Sequence, residues 1–283
     1  MNVMVMLIRR EFWEHRTLVF APLALCIVYL VLCGVAGANI GTNILRFGNE
    51  PTTSAGFLIV MHAVFTALLY VLMAFVAFFY LCDCLYAERK DRSILFWKSL
   101  PVSDAMTVLS KAIVGLVCIP VVVYVLSFVT NVVAFAIFKL LFHPAAPPPS
   151  VAADWTIGGW IQINGYLIAD IPVLALWFAP VAAYQLLISA VAPRAAFVIT
   201  VLPPLTLIIG ERLFFRTSYI ADFVGHRLGS VALFPRSAHG VQGVIDAVNA
   251  LPLLARPELW IGVLVAAAGM YLTIRVRRHQ QDS

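Results

Sequence analysis

The chain has 283 residues, of which 62% are apolar and only 12% charged, with a mean hydropathy of +0.95. Soluble domains carry about a quarter charged residues, so an ordinary water-soluble enzyme or binding module is excluded and a membrane protein is expected. The net charge of +5 follows from arginines and lysines that flank apolar runs, and it gives no reason to invoke nucleic acid.

Met1, Val5, Ile8 and Phe12 recur at helical spacing, while Arg10 and Glu14 fall on the opposite face. This pattern predicts an interfacial helix over residues 1–16, with Arg9, Arg10, Trp13 and Arg16 suited to the headgroup boundary. Arg9, Arg10 and Arg16 before an apolar run, with Ala36-Gly37-Ala38 after it, imitate a cleaved signal. The run is longer than the roughly 7–15 residues of a signal core, so an uncleaved first span is expected.

Charge-free runs cover residues 17–45, 51–82, 112–138 and 171–193, and each holds the roughly 20 residues that cross a bilayer as helix. Two more, 195–210 and 259–274, have 16 residues each and are read as spans whose flanking charges snorkel to the interface. The expected fold is therefore all-α, a single transmembrane domain over residues 1–283 with six transmembrane helices. Placing the N-terminus inside puts twelve of the 19 Lys and Arg residues on the cytoplasmic side, which the positive-inside rule favours. Both termini are then cytoplasmic.

Between spans 2 and 3 the stretch "LYAERKDRSILFWKSLPVSD", residues 85–104, carries seven of the 33 charged residues. The second span is expected to end near Cys82. Glu88 and Arg92 stand four apart as a helix pair would, and "ILFW" is an apolar patch too short to cross a membrane. Pro101 biases Leu100 away from the α region, after which Ser103 or Asp104 can cap a helix running through Lys111 into span 3. The segment reads as a short surface helix, a break, and a return into the membrane.

Outside, "FHPAAPPPS" at residues 142–150 is an extended connection, and Trp155, Trp160 and Tyr166 fit an aromatic belt before span 4. Pro172, Pro180 and Pro203-Pro204 predict kinks. The short turn "VAPRAAF" puts Arg194 inside, and residues 213–256 form an outer linker with one or two surface helices. Five of the seven outer Lys and Arg residues cluster around it, Arg212, Arg216, Arg227, Arg236 and Arg256. Cys26, Cys33, Cys82, Cys84 and Cys118 lie in or beside spans and read as packing residues; "CDC" lacks further ligands at a metal-site spacing.

Nothing in the chain matches a Walker motif, a His-Glu-x-x-His pair or a Gly-x-Ser-x-Gly elbow, so no cofactor is expected on this chain. Polar residues at membrane depth are functional candidates by default. His62, Asn131, Asp170, Gln185 and Glu211 qualify, with Tyr124 and Tyr184 as pathway aromatics. Each can equally serve as interhelical glue, and Asp170 and Glu211 stand near span ends.

The charged stretch and the topology together resemble the type-2 permeases of ABC exporters. The pattern "ER...SILFWKSLPVSD......SK", with Glu88, Arg89, Ile94, Leu95, Ser99, Leu100, Pro101, Val102, Ser103, Asp104, Ser110 and Lys111, is similar to that family's cytoplasmic segment between spans 2 and 3. "APRAAF" at residues 192–197 looks like its short inner turn. The resemblance implies a cytoplasmic coupling helix that docks on a separate ATPase subunit holding the ATP and Mg2+. Ile94, Leu95, Phe96, Trp97 and Leu100 would be its buried anchors, and Glu88, Arg89, Lys98 and Asp104 its polar rim. It further implies a second permease chain as a homodimer, a lipid environment in the cell inner membrane, and a substrate pathway to which His62, Tyr124, Asn131, Tyr184 and Gln185 are assigned. An intramembrane enzyme using His62, Asp170 or Glu211, and a non-transporting scaffold, remain alternatives.

Overall fold

The computed structural model describes residues 3–40, 46, 47, 50, 51, 54–91, 102–141, 157–229, 246 and 249–279. Helix α1 covers Val3–Glu14, α2 Thr17–Ile40, α3 Ser54–Lys90, α4 Asp104–Ile113, α5 Ile119–Leu141, α6 Ile157–Val191, α7 Ala196–Gly210, α8 Tyr219–Gly229 and α9 Pro257–His279. A two-residue antiparallel ladder pairs Arg46–Phe47 with Glu50–Pro51 between α2 and α3. Six helical stretches are long and apolar enough to cross a membrane: Thr17–Val35, Val64–Lys90, Asp104–Ile137, Trp160–Val191, Ala196–Phe215 and Pro257–His279. The six expected spans are all present.

Their limits differ from the charge-free runs for a physical reason. A helix does not stop at a charge whose partner is at hand. The second span continues past Cys82 to Lys90, so Leu85–Lys90 is its last turns and no part of a separate surface helix. The two 16-residue runs likewise become spans of 20 and 23 residues, the first by taking in Glu211–Phe215 and the second by taking in Pro257, Glu258 and Arg275–His279. Trp160 and Tyr166 stand inside α6 itself, not in a belt ahead of it.

Span 3 begins where its sequence says it should. The Ser103 side chain accepts a hydrogen bond from the Met106 N–H, with Asp104 in the first turn, an N-cap with a favourable charge at the positive end of the helix dipole. Between α4 and α5 the chain makes one π-helical turn, Val114–Cys118, in which the Ile119 N–H reaches the Val114 carbonyl. Pro120 follows immediately, and a wider turn there absorbs the amide hydrogen that proline lacks. A second π turn, Glu211–Phe215, ends span 5.

Span 4 is the most buried of the six and span 5 the least. Helix α6 packs along α9 and α3, and α2 along α5. One apolar cluster, with Leu18, Tyr80, Leu81, Leu85, Val114 and Leu186, fills the end of the bundle that carries α1; a second, with Cys26, Tyr29, Phe65, Leu69 and Val123, joins spans 1 to 3. At the opposite end Val173, Trp177, Ala250, Leu253 and Leu259 form a third. Gly115 lets spans 2 and 3 touch, because a Cβ there would stand 2.7 Å from Leu81 Cδ2 and 2.9 Å from its Cγ. Gly115→Leu is expected to cost about 1–3 kcal/mol by overpacking, seen as earlier loss of the monodisperse peak when the detergent-solubilised chain is heated.

Spans 4 and 5 join through a turn at residues 192–195, closed by Ala195 in the left-handed region with φ 46°. Of the linker after span 5, α8 is the first expected surface helix. The second falls on residues 230–248, almost all outside the described residues. So do Arg92, Ile94, Leu95, Phe96, Trp97, Lys98, Ser99, Leu100 and Pro101, the proline-rich connection and Trp155. His62 lies in α3, but its side chain is outside the described residues as well.

Candidate functional site

The interior of the α1 end is charged. Lys111 is 0% exposed and Glu88 5% exposed, and the burial of two opposite charges is tolerable only where each finds several partners. Lys111 Nζ donates to Glu11 Oε1 at 2.9 Å and Oε2 at 3.0 Å, and it pairs with Glu88 Oε1 at 3.1 Å. Glu88 also receives Arg10 on Oε1 and Arg277 on Oε2, the latter at 2.9 Å. Arg277 uses its Nε on Asp104 at 2.9 Å. Arg10 spans Glu11 at 3.2 Å and Glu14 at 3.0 Å, and the Tyr80 hydroxyl donates to Glu11 Oε2 at 2.9 Å.

Among the described residues, three cations and four carboxylates thus tie together α1, the end of span 2, the start of span 3 and the end of span 6. Burial opposes the Arg10 charge, but Glu11, Glu88 and Glu14 more than offset this and hold its pKa above the ordinary value. The guanidinium stays charged at every physiological pH.

A second fastening lies beside the first. Arg89 donates to the Ser189 and Ala192 carbonyls at 2.8 and 2.7 Å, which would otherwise be orphaned at the end of α6. The Ser189 hydroxyl in turn accepts from the Leu85 and Tyr86 amides. Spans 2 and 4 are locked where the charged stretch leaves the bundle.

These contacts change the reading of the proposed rim. Glu88, Arg89 and Asp104 are all engaged inside the protein and do not form an outward-facing rim. The apolar stripe of α1 is placed in part as expected: Ile8 and Phe12 pack on the core, whereas Val5 and Trp13 are exposed. Arg9 lies over the Trp13 ring, 4.8 Å from its centroid. The buried face of α1 is completed by Leu7 and Glu11. Val102 is half-buried beside the Ser103 cap.

The residues assigned to a pathway mostly join helices. Tyr184 donates to the Thr200 carbonyl at 3.0 Å between spans 4 and 5, and Tyr124 to the Asn164 carbonyl at 3.4 Å between spans 3 and 4. The Asn131 amide reaches the Thr66 hydroxyl at 3.4 Å, and Gln185 is buried in span 4. The described ones are distributed along the bundle: Tyr124 meets Asn164, and Tyr184 lies 20 residues farther along span 4 at Thr200. Cys82 and Cys84 donate to the Thr200 hydroxyl and the Leu81 carbonyl, the packing role expected of them. Glu211 accepts from the Thr217 hydroxyl and from the Tyr219 and Ile220 amides, so it caps α8.

At the end away from α1, Arg227 is buried although its position in the linker suggested an exposed cation. It stacks over Trp177 at 4.4 Å from the ring and donates to the Trp177 and Glu258 carbonyls, while the Trp177 indole donates to the Arg227 carbonyl. Gly262 makes room for it: a Cβ there would lie 2.0 Å from Arg227 Nη2. The excess of positive charge on the linker between spans 5 and 6 is therefore partly consumed inside the fold.

Six apolar spans, a capped third span and a buried ion network at one end define a multi-pass helical membrane protein. No protein-family model, curated protein or solved structure matches the chain.

Proposed function

We propose that this chain is the permease subunit of an ATP-driven exporter of the type-2 ABC class, working as a homodimer in the cell inner membrane. The α1 end faces the cytoplasm in this reading, because most Lys and Arg residues flank the spans there. The observation that supports it best is the placement of the ion network around residues 92–101. Glu88 stands four residues before that segment, Asp104 three after it and Lys111 ten after it, and Arg277 holds both Glu88 and Asp104.

In this reading, displacement of the segment is passed to its roots, which are tied to spans 2, 3 and 6 and to α1. That is the mechanical requirement for a coupling helix. An ATPase subunit that carries ATP and Mg2+ would push on Ile94, Leu95, Phe96, Trp97 and Leu100, and the roots would pass the displacement to the spans as a rigid-body change. In this reading Ser99, Pro101, Val102 and Ser103 would make up the turn between the docking residues and the cap of span 3. The polar rim shrinks to Lys98 and its neighbours, since Glu88, Arg89 and Asp104 act as footings.

The test is purification of the tagged chain from its native cells in mild detergent. A Walker-motif ATPase is expected to accompany it in stoichiometric amount, and Leu100→Asp is expected to reduce that association at least tenfold, as loss of a buried interface anchor does. A chain that purifies alone, or an associated ATPase indifferent to Leu100→Asp, would remove the basis of the reading.

A further inference from the structure

The end of span 5 carries two arginines that the fold does not use. Arg212 and Arg216 flank Leu213, Phe214 and Phe215, and all five are exposed. Phe214, at 83%, is the most exposed large apolar side chain among the described residues, and Leu213 and Phe215 are 72% and 76% exposed. Span 5 leaves the turn at residues 192–195, where Arg89 holds the Ala192 carbonyl, so this stretch lies at the end of the bundle away from α1.

The local structure explains why the two cations stay without a carboxylate. The last turn of span 5 is the π turn Glu211–Phe215, and Arg216 follows it in the left-handed region with φ 52°. Glu211 is spent on the entry to α8: its Oε1 accepts from the Thr217 hydroxyl and the Tyr219 amide, and its Oε2 from the Ile220 amide. Asp222 accepts from the Ser218 hydroxyl. Neither Arg212 nor Arg216 has an ion pair or hydrogen bond among the described residues. The other described arginines of the linker are taken up by protein, Arg227 by Trp177 and the Glu258 carbonyl, and Arg256 by the His226 imidazole at 3.1 Å.

Apolar side chains exposed at the end of a membrane span meet acyl chains, and an arginine at that depth extends its stem toward the headgroups. The anion at hand there is the lipid phosphate, which a guanidinium grips through two parallel N–H···O bonds. Two cations four residues apart favour a lipid whose phosphate is not offset by an ammonium group of its own. Tyr219, exposed three residues beyond Arg216, is of a type that favours the headgroup boundary.

We propose that Arg212 and Arg216 bind the phosphate of an anionic phospholipid in the leaflet away from α1, with its acyl chains against Leu213, Phe214 and Phe215. A free phosphate would neutralise the arginines and leave the three apolar side chains uncovered. The site stands independently of the permease reading, since it requires only the helical membrane fold.

The experiment uses the purified full-length chain in a neutral detergent, titrated with a phosphatidylglycerol that carries a photoreactive group in one acyl chain. Mass spectrometry locates the crosslinked peptide, and unlabelled phosphatidylglycerol, phosphatidylcholine and inorganic phosphate serve as competitors. The crosslink is expected within residues 213–219. Unlabelled phosphatidylglycerol is expected to displace it, phosphatidylcholine to do so only weakly, and inorganic phosphate not at all. Arg212→Gln is expected to weaken the labelling about fivefold, the effect of one basic residue at an anionic membrane surface. Adding Arg216→Asn is expected to abolish the preference for phosphatidylglycerol; asparagine is used there because it tolerates the left-handed backbone. The competition needs no variant and decides the matter if one fails to fold. A crosslink elsewhere, equal competition by phosphatidylcholine, displacement by inorganic phosphate, or undiminished labelling in the double variant would overturn the proposal.

Discussion

Glu88→Ala is expected to destabilise the chain more than any other single change at the α1 end, by about 3–5 kcal/mol, the cost of removing one partner from a buried ion pair. Among the described residues, Glu88 is the one carboxylate that meets Arg10, Lys111 and Arg277 together. Without it, Glu11 is the deeply buried carboxylate left among the described residues for those cations, with the more exposed Glu14 and Asp104 at the edge. Lys111→Met gives the contrasting case. Counting the deeply buried groups alone, Glu11 and Glu88 then keep Arg10 and Arg277, two charges against two, with the more exposed Glu14 and Asp104 at the edge of the network, and the loss is expected to be smaller despite the complete burial of Lys111. The measurement is the temperature at which each variant loses its monodisperse peak in detergent, and the expected order is wild type, Lys111→Met, Glu88→Ala. The reverse order for the two variants would mean that charge balance does not govern the cluster.

The second large effect belongs to the opposite end. Trp177 is 0% exposed and is clasped by Arg227 through one ring face and two reciprocal hydrogen bonds. Trp177→Ala is expected to cost about 3–5 kcal/mol, the range for removing a large buried aromatic. It also strips Arg227 of its stacking partner, so α8 is expected to detach. Protease cleavage between spans 5 and 6 reads that event directly. Trp177→Phe keeps most of the buried surface and loses the indole N–H bond, about 1 kcal/mol; cleavage as fast as in Trp177→Ala would show that the hydrogen bond, not the packing, holds α8.

What the sequence discloses and what it hides divide along the range of the interactions. Spans were legible because they are apolar runs of sufficient length, and the Ser103 cap because its signal lies within four residues. The extension of span 2 to Lys90 was not, because Glu88 is stabilised by Arg10, Lys111 and Arg277, residues 78, 23 and 189 positions away. Helical periodicity placed Arg10 and Glu14 on a polar face of α1 and gave no role to Glu11, because periodicity assigns charge to solvent. The one local sign was Lys111, a lone lysine at the edge of a long apolar run, which needed an acid from elsewhere.

Arg227 taught the same lesson with the opposite sign. Charge counting set it on the outer surface, while its aromatic and carbonyl partners come from spans 4 and 6. Asp170 was legible as a polar candidate near a span end; its bond from the Ala250 amide, 80 residues away, becomes visible only in the folded chain.

The most direct measurement for the coupling role of residues 92–101 is site-specific photocrosslinking in the native cells, with a photoreactive amino acid in place of Trp97. The expected result is a crosslink to a cytoplasmic ATPase that carries a Walker motif, weakened when Leu100→Asp is added. Crosslinks to lipid alone would contradict the account, and would leave the charged stretch as a membrane-surface anchor.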